Sequence, residues 1–132
     1  METLAPCLHE VVVDGTAGLG GHTKALVTAG AHRVIAVDID PDAVQRLSDR
    51  FKSNPRVSGA HASYTELSAT LATHQVNHAK GVLLDLGVSS LQLDQASRGF
   101  SFRLDGPIDM RFNATSGRPA ADLVNRLPEP AM

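Results

Sequence analysis

The sequence predicts an α/β fold, a Rossmann-like doubly wound parallel sheet with the strand order 3-2-1-4. A β-branched run leads into a glycine-rich turn and a helix over residues 11–28, and an apolar run over 33–38 ends in an acid. Together these form the opening half of a nucleotide-binding βαβ unit. Two further apolar runs, 57–62 and 80–86, bring the strands to four. Parallel strands joined by helices would place candidate ligand-binding residues at their carboxyl ends.

The first elements follow from local signals. Residues 11–13 are fully apolar, as in a buried parallel strand. A helix is predicted from about 22 to 28, with its N-terminus at the glycine turn, and Gly30 ends it. The second strand covers 33–38.

The next helix has the clearest start signal. Asp40-Pro41-Asp42 is typical of an N-cap, a first-turn proline and an acid that suits the helix dipole, and the helix extends to about Phe51. A weak third strand over 57–62 and a helix over about 65–74 follow.

The segment 87–119 shows no regular hydrophobic period and is rich in Gly, Ser, Asp and Arg. Segments of this length without secondary structure are unusual in a compact domain and normally serve a function. We therefore predict a long functional loop. A short helix over 120–127 follows it, ended by Pro128 and Pro130.

Length and composition restrict the class of protein. At 132 residues the length predicts one domain, and 42% hydrophobic residues suffice for a core. No apolar run approaches the length that spans a bilayer, so we expect no membrane role. The single cysteine, Cys7, excludes an internal disulfide and fits a reducing compartment. The net charge of −2 makes any contact with a polyanion a local one.

The glycine turn departs from the dinucleotide fingerprint. Counting from Gly18, the third glycine of that pattern would fall at position 23, where the chain has Thr23. Asp14, at the end of the first strand, would repel a pyrophosphate and attract a cation. S-adenosylmethionine carries an ammonium and a sulfonium and suits such an acid. Asp38 has the separation from Gly18 expected of an acid that accepts both ribose hydroxyls. The alternative is a glycine turn that only closes a strand–helix corner.

Three other side chains are candidates at the same edge of the sheet. Tyr64 could stack on an adenine or be an ordinary half-buried aromatic residue. Asp85 could accept a hydrogen from an amino group undergoing methylation, hold the cofactor, or simply cap a helix or turn. His22 could donate to a cofactor carboxylate or be an ordinary surface histidine.

Two other groups of polar residues have a functional and a structural interpretation. His74 and His78 would share a helical face, but no cysteine or third ligand is in range, so we predict no metal site. The arginines of the long loop alternate with aspartates. They either bind RNA phosphates or form internal salt bridges that fold the loop; they are Arg98, Arg103, Arg111 and Arg118.

Three blocks of sequence resemble a known family. They are Asp-Gly-Thr-Ala-Gly-Leu-Gly-Gly-His at 14–22, Leu-Leu-Asp-Leu-Gly-Val-Ser-Ser-Leu-Gln-Leu-Asp at 83–94, and Arg-Gly-Phe-Ser-Phe-Arg-Leu-Asp-Gly-Pro-Ile-Asp-Met-Arg at 98–111. Together they are similar to the MraW/RsmH family of S-adenosylmethionine-dependent methyltransferases, which modify the exocyclic N4 of a cytosine in small-subunit ribosomal RNA. The resemblance covers about residues 4–127. It implies the partial sheet of a class I methyltransferase.

The resemblance also implies roles for individual residues. It implies contacts with the methionine part, the ribose and the adenine of the cofactor from Gly20, Gly21, His22, Asp38 and Tyr64. It further implies that Asp85 and Gln92 close over the cofactor from the fourth strand and its loop. Three positions depart from the family pattern, namely Ser63, Tyr64 in place of phenylalanine, and Leu91 in place of proline.

Family members are much longer, so residues 1–132 resemble the amino-terminal part of such an enzyme. The compartment implied is the cytoplasm in a bacterium or the mitochondrial matrix in a eukaryote. We expect Asp85 to accept the amino hydrogen, because methyl transfer needs alignment more than a strong base. Two alternatives stay open, a cofactor- or RNA-binding piece without turnover and a nicotinamide-linked oxidoreductase. The apolar strand 81–86 would form a sheet edge, which predicts self-association through it.

Overall fold

The computed structural model describes residues 9–127, so Cys7, Pro128 and Pro130 lie outside the described part of the chain. The chain divides into two compact units, one that ends at Leu86 and one that begins at Gly87. The strands of the first unit are β1 (Val11–Asp14), β2 (Arg33–Asp38), β3 (Val57–His61) and β4 (Gly81–Leu83). Its helices are α1 (Gly21–Thr28), α2 (Pro41–Phe51) and α3 (Leu67–Thr73).

The four strands form one parallel sheet with the order β3-β2-β1-β4, which confirms the predicted topology. Val12 lies opposite Val34 and Val13 opposite Ile35 in the register of β1 and β2. Both central strands are buried on both faces, as their continuous apolar sequence predicts.

Helices pack on both faces of this sheet, as a doubly wound fold requires. On one face, Leu26 of α1 packs with Val12 and Val34, while Leu47 of α2 packs with Ala36. The other face is covered by α3 and its flanks, with a core formed by Val13, Ile35, Val37 and Val76 and the partly buried Leu67 and Leu71. The core therefore lies in two layers, one on each face of the sheet, and Asp38 at the carboxyl end of β2 is partly exposed.

Local signals gave the bounds of α2 correctly. Asp40 is the N-cap, and its Oδ1 accepts a hydrogen bond from the amide of Asp42 at 3.1 Å. Pro41 opens the helix. The cap satisfies an amide that would otherwise lack a partner in the first turn.

Two predicted elements of the first unit are shorter than expected. The fourth strand was predicted over 80–86, but β4 ends at Leu83 because its neighbour β1 ends opposite it, at Asp14. Beyond that point the chain has no strand to pair with. The helix predicted over about 65–74 begins as a 3-10 turn, Tyr64–Glu66, and is α-helical only over α3.

The second unit corrects the prediction of an unstructured loop over 87–119. Within that range lie α4 (Ser90–Asp94) and a 3-10 turn (Ala96–Arg98), while α5 (Ala120–Arg126) confirms the helix predicted over 120–127. Ser89 and Gln92 form a reciprocal capping box that starts α4. The S-x-x-Q spacing of Ser89 and Gln92 is a sequence signal for such a capping box.

Buried arginine and aromatic contacts hold the rest of this unit together. Arg98 is 5% exposed, and its Nη2 donates to the carbonyl oxygens of Arg111 at 3.2 Å and Phe112 at 2.8 Å. The rings of Phe100 and Phe112 lie 5.4 Å apart between centroids in a tilted arrangement. In neither unit is a helix among residues 9–127 long and apolar enough to cross a membrane.

Candidate functional site

The glycine-rich turn after β1 is tied to both neighbouring strands. The amide of Gly15 donates to the carbonyl of Leu83 at 2.9 Å, and that of Ala17 donates to the carbonyl of Val37 at 2.9 Å. Gly20 has a left-handed φ of 78°, and a Cβ there would lie 2.6 Å from a ring carbon of Phe51. Strain and close packing thus both require glycine at position 20.

Asp14 is the buried acid of this site. Its side chain is fully buried, and its Oδ2 accepts a 2.6 Å hydrogen bond from the hydroxyl of Thr23. The other oxygen, Oδ1, has no hydrogen-bond partner among residues 9–127. Burial raises the pKa of Asp14, and the Thr23 hydroxyl, the nearby His22 and the backbone amide of Thr16 only partly offset this. The site therefore contains a carboxylate oxygen that lacks a donor.

Two glycines of the turn leave room for a ligand. A Cβ added at Gly18 or Gly21 would meet no atom within 4 Å. Gly21 has an ordinary helical conformation, so its backbone does not require glycine. Gly21 begins α1, and the first amides of a helix have no intrahelical partner. The first amides of α1 and the open space beside them suit an anionic group such as the carboxylate of an amino acid.

Asp38 lies at the end of β2, and the backbone orients its carboxylate. Oδ2 accepts from the amide of Gly18 at 2.7 Å, and Oδ1 accepts from the amide of Asp40 at 2.9 Å. Each carboxylate oxygen has a second lone pair, so both can still accept a hydroxyl. The acid is thus held against the glycine turn and remains partly exposed.

Tyr64 lies beside the same turn. Its Cβ is 3.6 Å from the position of a Cβ built on Gly15, and its side chain is 45% exposed. A capping box between Ser63 and Glu66 fixes the 3-10 turn that carries it. An accessible flat ring next to the glycine turn is suitable for stacking.

His22 and Asp85 approach each other across the turn. Nδ1 of His22 lies 3.9 Å from Oδ2 of Asp85, and their side chains are 48% and 71% exposed. The amide of Asp85 donates a hydrogen bond to the hydroxyl of Thr16 at 2.7 Å. Sequence reasoning missed Thr16, although a hydroxyl inside a glycine turn is a signal for such a contact.

Gln92 has a structural task in the second unit. It is 2% exposed, and its Oε1 accepts the Ser89 amide in the capping box of α4. Its contact with a cofactor stays a prediction. The capping role is a sufficient reason for a glutamine at this position.

The histidines after α3 have other contacts. The carbonyl of His74 accepts a hydrogen bond from Nη1 of Arg33 at 3.2 Å. Burial, with the charge of Arg33 as a smaller cause, lowers the pKa of His74. No group of three or more His, Cys, Asp or Glu residues that could hold a metal ion occurs within the described ranges.

The arginines of the second unit divide into two kinds. Arg98 donates to backbone carbonyls, and Arg111 forms a bidentate pair with Asp109, with Nε–Oδ1 and Nη2–Oδ2 distances of 2.9 and 2.7 Å. Arg118 donates to the Asp122 carbonyl at 3.4 Å. These three therefore bond inside the unit. The guanidinium of Arg103 makes no hydrogen bond or ion pair with the described residues.

Comparison with known proteins identifies the family of the chain. The model of the MraW methylase family matches residues 1–132. Curated proteins named ribosomal RNA small subunit methyltransferase H are similar to the chain. The one from Mesorhizobium japonicum is 49% identical over 126 residues, which are 95% of the chain and 35% of that protein. The one from Hyphomonas neptunium is 47% identical over 131 residues, 98% of the chain and 37% of that protein.

A third relative of the same name, from Frankia casuarinae, is 46% identical over 128 residues, 92% of the chain and 40% of that protein. The chain therefore spans 35–40% of the length of these relatives. The part it covers includes the glycine turn, Asp38, Tyr64 and Asp85.

Proposed function

Because the chain belongs to the MraW methylase family, we propose that it serves the transfer of a methyl group from S-adenosylmethionine to the exocyclic N4 of a cytosine in small-subunit ribosomal RNA. The observation that carries this proposal is the unpaired, buried Oδ1 of Asp14 at the glycine turn. A buried carboxylate oxygen without a donor is costly, and a cationic amino group would satisfy it.

The same observation disfavours a nicotinamide dinucleotide. Its pyrophosphate would approach the turn that carries the Asp14 carboxylate, where two anions would repel each other. Thr23 occupies the position of the third glycine in the dinucleotide pattern, and its hydroxyl is bonded to Asp14. The oxidoreductase alternative therefore has no support at this turn.

In this proposal each part of the cofactor has its own contacts. Asp38 accepts the ribose hydroxyls, and Tyr64 stacks on the adenine. The backbone of Gly20 and Gly21 and the ring of His22 contact the methionine part. The support for this assignment is that these residues lie at or beside one glycine turn, whose Gly18 amide also donates to Asp38.

Asp85 accepts a hydrogen of the cytosine amino group in the proposed reaction. Bound S-adenosylmethionine supplies an electrophilic methyl group, so the protein needs to align the acceptor and stabilise charge rather than provide a strong base. The Thr16 hydroxyl fixes the backbone of Asp85, while its carboxylate stays accessible.

A second candidate is a cofactor- or RNA-binding piece without turnover, which associates with itself. Its self-association is favoured by Val82 in the edge strand β4 and by Leu84 and Leu86 just after it, which are 47%, 45% and 66% exposed. The compartment would be that of the ribosome, the cytoplasm of a bacterium or the matrix of a mitochondrion.

Two measurements test these proposals. Isothermal titration of the chain with S-adenosylmethionine and with a nicotinamide dinucleotide should give heat of binding only for the first. Tritium transfer from labelled S-adenosylmethionine to small-subunit RNA, measured beside a full-length relative, separates an enzyme from a binding piece. Binding of the dinucleotide alone would overturn the proposed cofactor.

A further inference from the structure

A fully exposed aromatic ring and an arginine without a partner are neighbours in the second unit. Phe102 is fully exposed, and the Arg103 guanidinium makes no hydrogen bond or ion pair with residues 9–127. We propose that these two side chains form a platform for one nucleotide of single-stranded RNA, with the Phe102 ring on the base and Arg103 at the phosphate. This inference rests on the proposed action on ribosomal RNA and adds a site outside the cofactor turn.

The loop that carries both side chains is locally ordered. The hydroxyl of Ser101 accepts hydrogen bonds from the amides of Arg103 at 3.1 Å and Leu104 at 3.2 Å. Phe100, which precedes this turn in the sequence, is buried and packs against Phe112. Phe102 is thus carried on an ordered turn of the backbone with its ring exposed to solvent.

An open cavity of about 500 Å³ lies at this loop, within the size range of small-ligand sites. Its lining combines apolar and charged side chains, namely Leu93, Asp94, Ser101, Phe102, Arg103 and Leu104. A nucleotide has the matching chemistry, because a base offers flat apolar faces and amino donors while its phosphate is an anion. Asp94 supplies an acceptor for a base amino group.

Arg103 differs from Arg98 and Arg111 in its bonding. The guanidinium groups of Arg98 and Arg111 donate hydrogen bonds to backbone carbonyls and to Asp109, and these bonds stabilise the fold of the unit. Arg103 has no such task. An exposed guanidinium beside an exposed ring is the pairing by which single strands are commonly bound, through phosphate contact and base stacking.

A protein segment is the competing occupant of this surface. An apolar segment that covered Phe102 would also remove Asp94 and Arg103 from water without giving both a partner, at a cost in desolvation. RNA covers the ring and pairs the cation in the same contact. The mixed lining of the cavity therefore favours RNA.

The test measures binding of a fluorescein-labelled, cytosine-containing single-stranded RNA of 12 nucleotides by anisotropy. Phe102→Ala should raise Kd by roughly five- to a hundredfold, as expected for the loss of one stacked base, and Phe102→Tyr should retain the wild-type Kd. Arg103→Ala should lower the salt dependence of log K by about 0.7, the contribution of one phosphate on a single strand.

Matched controls are Val124→Ala, which removes another exposed apolar side chain of this unit, and Arg46→Ala, which removes an exposed arginine of α2. Both should keep the wild-type affinity. Absence of RNA binding by the wild-type chain, or an unchanged Kd for Phe102→Ala, would overturn the platform. An unchanged RNA affinity together with weaker self-association of Phe102→Ala would instead assign the ring to a protein contact.

Titration with S-adenosylmethionine on the same samples separates this inference from the proposed function. Phe102→Ala and Arg103→Ala should bind the cofactor as the wild type does, which also shows that they are folded. Loss of cofactor binding by the wild type bears on the proposed function alone.

Discussion

The hydroxyl of Thr23 donates a 2.6 Å hydrogen bond to Oδ2 of Asp14 inside the first strand–helix turn. The two departures from the dinucleotide pattern are therefore one interaction. It holds the carboxylate against α1 and leaves the buried Oδ1 without a hydrogen-bond partner among residues 9–127. A glycine at position 23 would remove this bond.

Asp14→Asn should change the pH dependence of stability. Burial raises the pKa of folded Asp14 above its unfolded value of about 3.9, so the folded state binds more protons and wild-type stability falls as pH rises through the folded pKa. Asparagine has no charge to bury. The contribution of Asp14 to wild-type stability should therefore fall between pH 4 and pH 7, while Asp14→Asn should show no such fall. The free energy of unfolding of the variant, relative to that of wild type, should be higher at pH 7 than at pH 4 when both are measured by urea titration.

Thr23→Val provides the matched variant, because it keeps the carboxylate and removes the donor. It should lose more stability at pH 7 than at pH 4, since the hydroxyl stabilises the charged form of Asp14. A difference between Asp14→Asn and wild type that does not vary with pH would show that Asp14 titrates alike in the folded and unfolded chain.

Asp38→Ala should weaken binding of S-adenosylmethionine by about 1.5–3 kcal/mol, the range for lost hydrogen bonds to a charged group. The substitution also removes the acceptor of the Gly18 and Asp40 amides, so part of the loss comes from a looser turn. Calorimetric titration measures the affinity.

The control for that experiment is Asp40→Ala, which removes the N-cap of α2 and leaves the predicted ribose acid in place. It should lower stability by about 1 kcal/mol without changing the affinity. An Asp38→Ala chain that folds and binds with wild-type affinity would show that the ribose assignment is wrong.

Substitutions of Tyr64 distinguish its ring from its hydroxyl. Phenylalanine should be nearly silent, while alanine should cost about 1–3 kcal/mol of cofactor affinity through lost stacking. Because the side chain is 45% exposed, neither variant should disturb the core. Equal impairment of both variants would indicate a polar role for the hydroxyl.

The parts of the fold that rest on neighbours in sequence were predictable. Asp40 and Pro41 fix the start of α2 locally, and the buried strands β1 and β2 have continuous apolar sequences. The end of β4 was not predictable in this way, because it depends on where β1 stops pairing. An apolar sequence alone cannot report how far a neighbouring strand extends.

The same distinction applies to the candidate site. Asp38 and the glycine turn have a spacing that can be read along the chain, whereas the contact of Thr16 with Asp85 joins residues 69 positions apart. In the second unit, Arg98 bonds to carbonyls 13 and 14 positions away. The choice between RNA phosphates and internal partners for that arginine required the tertiary structure.

Asp109→Asn should destabilise the second unit in a pH-dependent way. The Arg111 hydrogen bonds lower the pKa of Asp109. The stability it contributes is therefore present above its unfolded pKa of about 3.9 and is lost as pH falls through the lower folded pKa. The variant should be less stable than wild type at pH 7 and closer to it at pH 3, measured by urea unfolding.

The last prediction concerns the edge of the sheet. β4 pairs with β1 on one side only within the described chain, and the exposed side chains of Val82, Leu84 and Leu86 continue an apolar sequence along it. An unprotected apolar edge pairs with other chains, and a lysine on it opposes such pairing. The 132-residue chain should therefore self-associate in size-exclusion chromatography with light scattering.

Leu86→Lys, beyond the last paired residue, and Val82→Lys, within the strand, should both shift the chain toward monomer, while Val124→Lys on α5 should not.

We also expect the chain to bind S-adenosylmethionine more weakly than a full-length relative and not to methylate RNA, because loosely held contacts lose binding energy to ordering. A monodisperse monomer whose methyl transfer equals that of the full-length relative would contradict both expectations, and would show that residues 1–132 suffice as an enzyme.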